Sequence, residues 1–294
     1  MKVAVTGASG LIGSALVPAL REAGHDLVTL VRRPAATAAE VVWDPEAGTI
    51  DEAGLAGVDA IVHLAGLNLG TRWTPAKKQA ILDSRVNGTR LIAETAARLS
   101  PRPSALVCAS AIGLYGERGD EILTESAPRG DGFLADVVAA WESAADPARE
   151  SGIRVVSLRQ GLVLTRSGGA LGRLLLPFRL GLGGPVGSGR QWWSWVALDD
   201  VVLAYVHILE RPLAGALNVT APEPVRNRDF VKALGRALHR PALAPFPAFA
   251  VKGLLGEMGE ELLLTSQRVL PAGLTADGFA FGRPSLDTAL ASLL

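Results

Sequence analysis

A doubly wound α/β fold on a mostly parallel sheet is predicted by three observations. The run from Lys2 to Gly13 passes from a short apolar strand, Val3 to Thr6, straight into glycines at 7, 10 and 13, with an apolar helical pattern behind them at Leu11, Ile12, Ala15, Leu16 and Leu20. Strand-like and helix-like runs then alternate through the first half of the chain, as repeated strand–helix–strand units do. The connections between them are short and carry Gly or Pro, which suits right-handed crossovers. A chain of 294 residues can bury a core large enough for one big α/β domain with a smaller lobe, or for one elaborated domain.

The elements follow in order. Strands are expected at 2–6, 26–31, 40–43, 59–64, 104–109 and 153–158, with helices at 11–23, 75–98 and 134–150. Residues 165–190 are less regular, rich in Gly and Leu, with turn signals at Gly168-Gly169, Gly183-Gly184-Pro185 and Gly187-Ser188-Gly189. Asp199 and Asp200 read as N-caps of a helix running from Val201 to Leu209. A strand at 216–220 and a helix at 227–238 come next, then Pro241, Pro245 and Pro247 break the pattern and a last helical segment covers 249–268. The expected division is a cofactor domain at 1–163, a partly interleaved substrate lobe at 164–245 and a C-terminal helical module at 246–294.

The glycine run carries chemistry as well as shape. Gly7 permits a tight turn off the strand, Gly10 lets a pyrophosphate approach the backbone, and Gly13 lets the helix pack close to the strand. The helix N-terminus behind them offers unpaired N–H groups and a favourable dipole to an anion, so Ser9, Leu11 and Ile12 join the site. This is the first unit of a Rossmann-type fold and implies a bound dinucleotide. The second strand ends Leu30-Val31-Arg32-Arg33-Pro34, with no acid at its tip. A carboxylate there would bond the 2′-hydroxyl of NAD; guanidinium forks fit a 2′-phosphate, so the expected cofactor is NADP(H).

Composition excludes several classes. Lys+Arg and Asp+Glu balance at 29 each, so there is no general basic field for nucleic acid. No apolar run approaches the roughly 20 residues a membrane span needs, and the first strand begins at residue 2. Cys108, the one cysteine, lies in an apolar run and reads as core filler, and four scattered histidines offer no metal cluster. The expectation is a cytoplasmic protein with a small-molecule substrate and neither nucleic acid nor membrane as partner.

Further segments then fall in a recognisable order: Asp59-Ala-Ile-Val-His-Leu-Ala-Gly66, Asn87-Gly-Thr89, Ala109-Ser-Ala-Ile-Gly-Leu-Tyr-Gly116, Gly187 through Val201, and Ala216-Leu-Asn-Val219 with Pro224-Val225. With the glycine run they resemble an extended short-chain dehydrogenase/reductase, the class of nucleotide-sugar epimerases and dehydratases, over about residues 1–240. Trp43-Asp44-Pro45, Ser84-Arg85, Arg159 to Leu164, Leu176 to Pro185 and Gln191 to Val196 resemble its atypical "epimerase family protein" branch, and the tail from about 246 resembles that branch's C-terminal module. The resemblance implies cofactor contacts at Leu64, Ala65, Gly66, Arg85, Ser110, Gly161 and Leu162. It also implies a possible homodimer through the 75–98 and 134–150 helices.

One expected feature is missing. Hydride-transferring relatives use a tyrosine and, four residues on, a lysine that lowers its pKa and bonds the nicotinamide ribose. Residue 119 is Gly and residue 209 is Leu, so neither Tyr115 nor Tyr205 begins a Tyr-x-x-x-Lys, and Leu134 and Val138 occupy the aligned positions. Ser110 and Tyr115 are then the candidate catalytic residues by analogy. Trp192, Trp193 and Trp195, with Gln191 and Ser194, either line a substrate pocket or fill an inter-lobe core. Arg85 either holds an anion or is a surface helix charge. The implied activity is an NADP(H)-dependent oxidoreductase or epimerase acting on a small polar or sugar-like substrate. The alternative is a non-catalytic NADPH sensor.

Overall fold

A computed structural model describes all 294 residues. The first half comprises β1 (Lys2–Thr6), α1 (Gly13–Glu22), β2 (Asp26–Val31), β3 (Glu40–Asp44), β4 (Thr49–Ile50), β5 (Ala60–His63), α2 (Pro75–Arg98), β6 (Ala105–Ala111), β7 (Ile122–Leu123), α3 (Phe133–Ser143) and α4 (Asp146–Glu150). The second comprises β8 (Arg154–Gln160), β9 (Leu162–Leu164), α5 (Gly169–Arg179), β10 (Trp192–Trp193), β11 (Trp195–Ala197), α6 (Leu198–Glu210), β12 (Gly215–Val219), β13 (Val225–Arg226), α7 (Asn227–Ala237), α8 (Ala248–Leu255), α9 (Glu257–Gly259), β14 (Arg268–Val269), α10 (Ala272–Ala276) and α11 (Leu286–Leu293).

Eight strands form one sheet in the order β12-β8-β6-β5-β1-β2-β3-β4. Every pairing is parallel except the β3–β4 hairpin. The chain runs outward from β1 to β3 on one side and from β5 to β12 on the other. The β1–β5 boundary is therefore the switch point, where a crevice opens beyond the strand ends. Alternate β1 side chains explain the two covered faces. Val3 and Val5 pack with Leu16, Leu20, Tyr205 and Ile208 of α1 and α6, while Ala4 packs with Ile61, Ile92, Leu106 and Ala148 on the opposite face.

A third cluster joins Leu171, Phe178, Trp195, Phe230, Leu234 and Leu290, so the tail packs on the second lobe. β14 also pairs with β7, whose sequence neighbours follow β6. The 134–150 helix divides into α3 and α4, with Pro147 in the first turn of α4. The expected 249–268 helix is likewise broken: Gly256 takes φ +62° after α8, and residues 268–269 form β14. The acids at 199 and 200 are not N-caps, because α6 already begins at Leu198. Asp200 is buried and instead accepts the N–H groups of Gly282 (2.7 Å) and Arg283 (3.1 Å), while Asp199 pairs with Arg283 at 2.8 Å. No helix is long and apolar enough to cross a membrane.

Candidate functional site

The crevice is shaped by backbone. Gly7 turns at φ +65°, and a Cβ on it would stand 2.9 Å from the Ala65 nitrogen. A Cβ on Gly13 would stand 2.2 Å from the Gly7 oxygen, so α1 approaches the loop as closely as only glycine allows. No side chain caps α1, and the N–H groups of Leu11, Ile12 and Gly13 make no hydrogen bond within the chain. Those three donors, the helix dipole and the exposed Ser9-Gly10 backbone form a cradle that fits a pyrophosphate.

Thr6 ties the two strands that flank the crevice. Its Oγ1 accepts the N–H groups of Leu64 (3.0 Å) and Ala65 (3.2 Å), so its proton goes to Nδ1 of His63 at 2.8 Å. His63 is therefore a structural acceptor, wedged edge-on against Trp43, and burial pushes its pKa down to about 4. The unfolded imidazole titrates near 6.5, so between about 6.5 and 4 the unfolded chain binds the extra proton. Stability should be full above pH 6.5 and should fall by about 3 kcal/mol on acidification to pH 4 from this group alone. Urea melts of wild type and His63→Leu across that window check it: the variant's stability should depend less on pH, and equal slopes would contradict the assignment.

The two arginines beyond β2 are not equivalent. Arg33 forms a two-pronged pair with Glu40, at 2.9 and 2.5 Å, and its hydrogen bonding is the main reason Glu40 falls to about 2. Arg32 is exposed and has no partner in the chain. The expected pair of free forks is thus one free fork and one shared with a carboxylate.

Arg85 is not a surface charge. It is 8% exposed, it lies 5.0 Å over the Trp141 ring, and its guanidinium carbon would be 3.6 Å from a Cβ on Gly66. Its one hydrogen bond goes to the carbonyl of Ile81, one turn back on α2, and no carboxylate pairs with it. Burial lowers its pKa to about 10, which leaves it charged at neutral pH. Arg85 is thus a buried cation at the β5 crevice that no carboxylate of the chain neutralises.

Ser110 and Tyr115 are buried and hydrogen-bonded within the protein. The Ser110 hydroxyl donates to Glu142 at 2.6 Å, and Glu142 is gripped by Arg159 through two 2.9 Å bonds. Arg159 also donates to the Tyr115 hydroxyl (3.0 Å), which in turn donates to Asn218 at 2.7 Å. Tyr115 has no exposed surface, and burial raises its pKa. Burial works against the Arg159 charge, but the Glu142 pairing more than offsets it and holds the guanidinium above its usual range. The network spans β6, α3, β8 and β12 and occupies both hydroxyls. At the aligned acid–base positions, Leu134 and Val138 are buried apolar contacts.

Gln191, Trp193 and Ser194 also face inward. Gln191 donates to the carbonyls of Val186 and Leu263, and Trp193 to that of Leu263 (3.3 Å). The Ser194 hydroxyl donates to the Gln267 carbonyl at 2.7 Å and accepts the Val269 N–H at 2.8 Å. Of the alternatives the residues left open, the geometry favours the inter-lobe core: these side chains fasten the C-terminal segment. Gly161 serves the same joint, since a Cβ there would stand 2.5 Å from the Ser194 oxygen, and the Leu162 N–H donates to that oxygen at 2.8 Å. Glu142 and Asn218 lie 32 and 103 residues from the hydroxyls they bind, separations no local pattern encodes, whereas Glu40 lies seven residues from Arg33, within reach of a local charge pattern.

Residues 3–220 match the model of the NAD dependent epimerase/dehydratase family. The chain belongs to that family. Residues 246–293 match a second model, a domain of unknown function (DUF1731). An epimerase family protein of Mycobacterium tuberculosis is 43% identical over 290 residues, covering 98% of this chain and 96% of that protein. The crystal structure of human epimerase family protein SDR39U1 (isoform 2) with NADPH superposes with a TM-score of 0.91 at 36% identity, covering 100% of this chain and 99% of that one. The nucleoside-diphosphate sugar epimerase of Corynebacterium glutamicum gives 0.83 at 37% identity, covering 100% of this chain and 58% of that one.

Proposed function

We propose that this family member binds NADP(H) and is an atypical oxidoreductase or epimerase acting on a small polar or sugar-like substrate, with water rather than a side chain supplying the proton. The observation that carries the reading is the uncapped cradle at the β1–α1 turn, with Arg32 unpaired beyond the β2 tip. The human relative solved with NADPH supports it. When bound there, the nicotinamide supplies the hydride. The residues hold and orient: the N–H groups of Leu11, Ile12 and Gly13 take the pyrophosphate, Arg32 takes the 2′-phosphate, and Arg85 neutralises an anionic oxygen at the Gly66 edge. No free acid stands at the aligned tyrosine and lysine positions, which is why water is assigned the proton.

Charge-assisted hydrogen bonds contribute about 1.5–3 kcal/mol each. Arg32→Ala should therefore weaken NADPH binding by about 10- to 100-fold, while NADH binding changes little. Arg33→Ala should cost less, since Glu40 already shares that fork. Calorimetric titration with both nucleotides measures this; equal losses for NADPH and NADH would remove the 2′-phosphate assignment. The reaction itself is tested by incubating the protein and a metabolite extract with NADPH deuterated at nicotinamide C4, then searching for labelled product. Label in a product supports the oxidoreductase.

The sensor reading has one observation in its favour: both candidate hydroxyls, Ser110 and Tyr115, are committed to an internal network. Tight NADPH binding without label transfer, together with a large NADPH-dependent change in proteolysis of the C-terminal lobe, would support it.

A further inference from the structure

The balanced charge total conceals a one-sided distribution. Residues 165–190 and 226–252 together carry ten Lys or Arg and a single acid, Asp229. The fold brings their ends together. Arg240 donates to the Arg179 carbonyl at 3.2 Å, and the Ala244 N–H donates to the Gly183 carbonyl at 3.0 Å. That bond brings Leu182 and Leu243, at 64 and 83% exposure, to the same corner, where Leu180 follows α5 at 66% and Leu176 lies one turn back on the helix at 65%. Beside them runs a groove walled by Lys232, Arg236, His239 and Arg240, in which Arg236 is paired with Asp287 at 2.9 Å while no carboxylate pairs with Lys232 or Arg240. Elsewhere on α5, Leu171, Leu175 and Phe178 are buried, so the exposed leucines are an additional apolar set that nothing in the core uses.

We propose that this corner is a docking surface for an anionic lipid bilayer, with the leucines entering the headgroup boundary and the Arg179–Lys232–Arg240 side facing the lipid phosphates. Highly exposed leucine side chains flanked by cations are the pattern of interfacial insertion. A symmetric contact with a second copy would set basic surface against basic surface, which like-charge repulsion opposes. The same helix reaches the cofactor cradle: Gly168 and Gly169 pack on the Leu11 side chain, and Arg173 holds the Gly70 carbonyl at 2.7 Å. Docking would thus fix α5 at its far end while its near end rests on the glycine loop. The lack of an apolar run excludes a membrane span and not docking at a bilayer surface, and the clustering of charge appears only when the two segments are folded together.

The test is flotation of the full chain with vesicles of phosphatidylcholine alone and with 30% phosphatidylglycerol, beside Leu180→Ser/Leu182→Ser/Leu243→Ser. Wild type should float with the anionic vesicles and not with the neutral ones, and its binding should fall at high salt. The triple variant should bind about tenfold or more weakly while keeping wild-type NADPH affinity and melting temperature. Failure of wild type to float with anionic vesicles overturns the proposal, as does equal flotation of the variant. Sedimentation showing a dimer that the triple variant abolishes would overturn it too, by assigning the leucines to self-association. NADPH affinity is read on the same samples, so loss of the cofactor reading is seen separately from loss of docking.

Discussion

Gly13→Ala should cost NADPH binding at least about 100-fold and lower the stability of the protein by about 1–3 kcal/mol. The added Cβ would stand 2.2 Å from the Gly7 oxygen, 2.7 Å from the Ala8 Cα and 2.9 Å from the Ala8 carbonyl carbon. All three are backbone atoms, so no rotamer change relieves the clash. Either α1 retreats from β1 or the loop opens, and in both cases the N–H groups of Leu11, Ile12 and Gly13 no longer converge. Gly10→Ala is the informative companion. Its Cβ would meet only the Gly7 oxygen, at 3.2 Å, so the fold should tolerate it with a small change in melting temperature. That Cβ would nevertheless stand in the pyrophosphate's approach, so affinity should fall while stability holds. Calorimetric NADPH titrations with melts of both variants separate the effects. A Gly13→Ala protein that binds NADPH like wild type would refute the cradle assignment.

Arg159→Met should be the most destabilising single change outside the glycine loop, by about 3–5 kcal/mol, the usual cost of breaking a buried ion pair. The Glu142 carboxylate would lose both its partners' bonds from Arg159, in a pair whose side chains are only 10 and 16% exposed. The Tyr115 hydroxyl would lose its donor as well. In a chain of this size the melting temperature should drop by about 10 °C or more. Removing the stranded charge in the double variant Arg159→Met/Glu142→Leu should restore much of the loss, because the main penalty is the uncompensated carboxylate. A double variant as unstable as the sum of the two single changes would show that the pair is not coupled. The same network sets an expectation for turnover. Ser110→Ala and Tyr115→Phe should lower stability by about 1–3 kcal/mol each through lost hydrogen bonds. The yield of deuterated product per folded protein should stay within a few-fold of wild type, whereas a catalytic hydroxyl would show a far larger loss at unchanged stability.

What was legible in the chain and what was not divides along physical lines. The run from Val3 to Leu20 determined the first strand–turn–helix unit by itself, because turn geometry, close backbone approach and helical periodicity are local properties, recorded in consecutive residues. Alternation of elements determined the doubly wound class for the same reason, and the lack of an acid at the β2 tip was a local fact about residues 30–34. The absence of Tyr-x-x-x-Lys was equally plain, being a statement about spacing. Side-chain commitment was not readable. Ser110 meets Glu142 across 32 residues and Tyr115 meets Asn218 across 103, and only the packing of β6, α3, β8 and β12 brings those groups together. Gln191, Trp193 and Ser194 could face a ligand or a neighbour, and the docking of the 263–269 segment decided it. Arg85 could be solvated or buried, and the α2–α3 contact over Trp141 decided that. Sequence determines which groups are present and which backbone shapes are allowed. Which of those groups remain free for a ligand depends on long-range hydrogen bonding, and that exists only once the chain is folded.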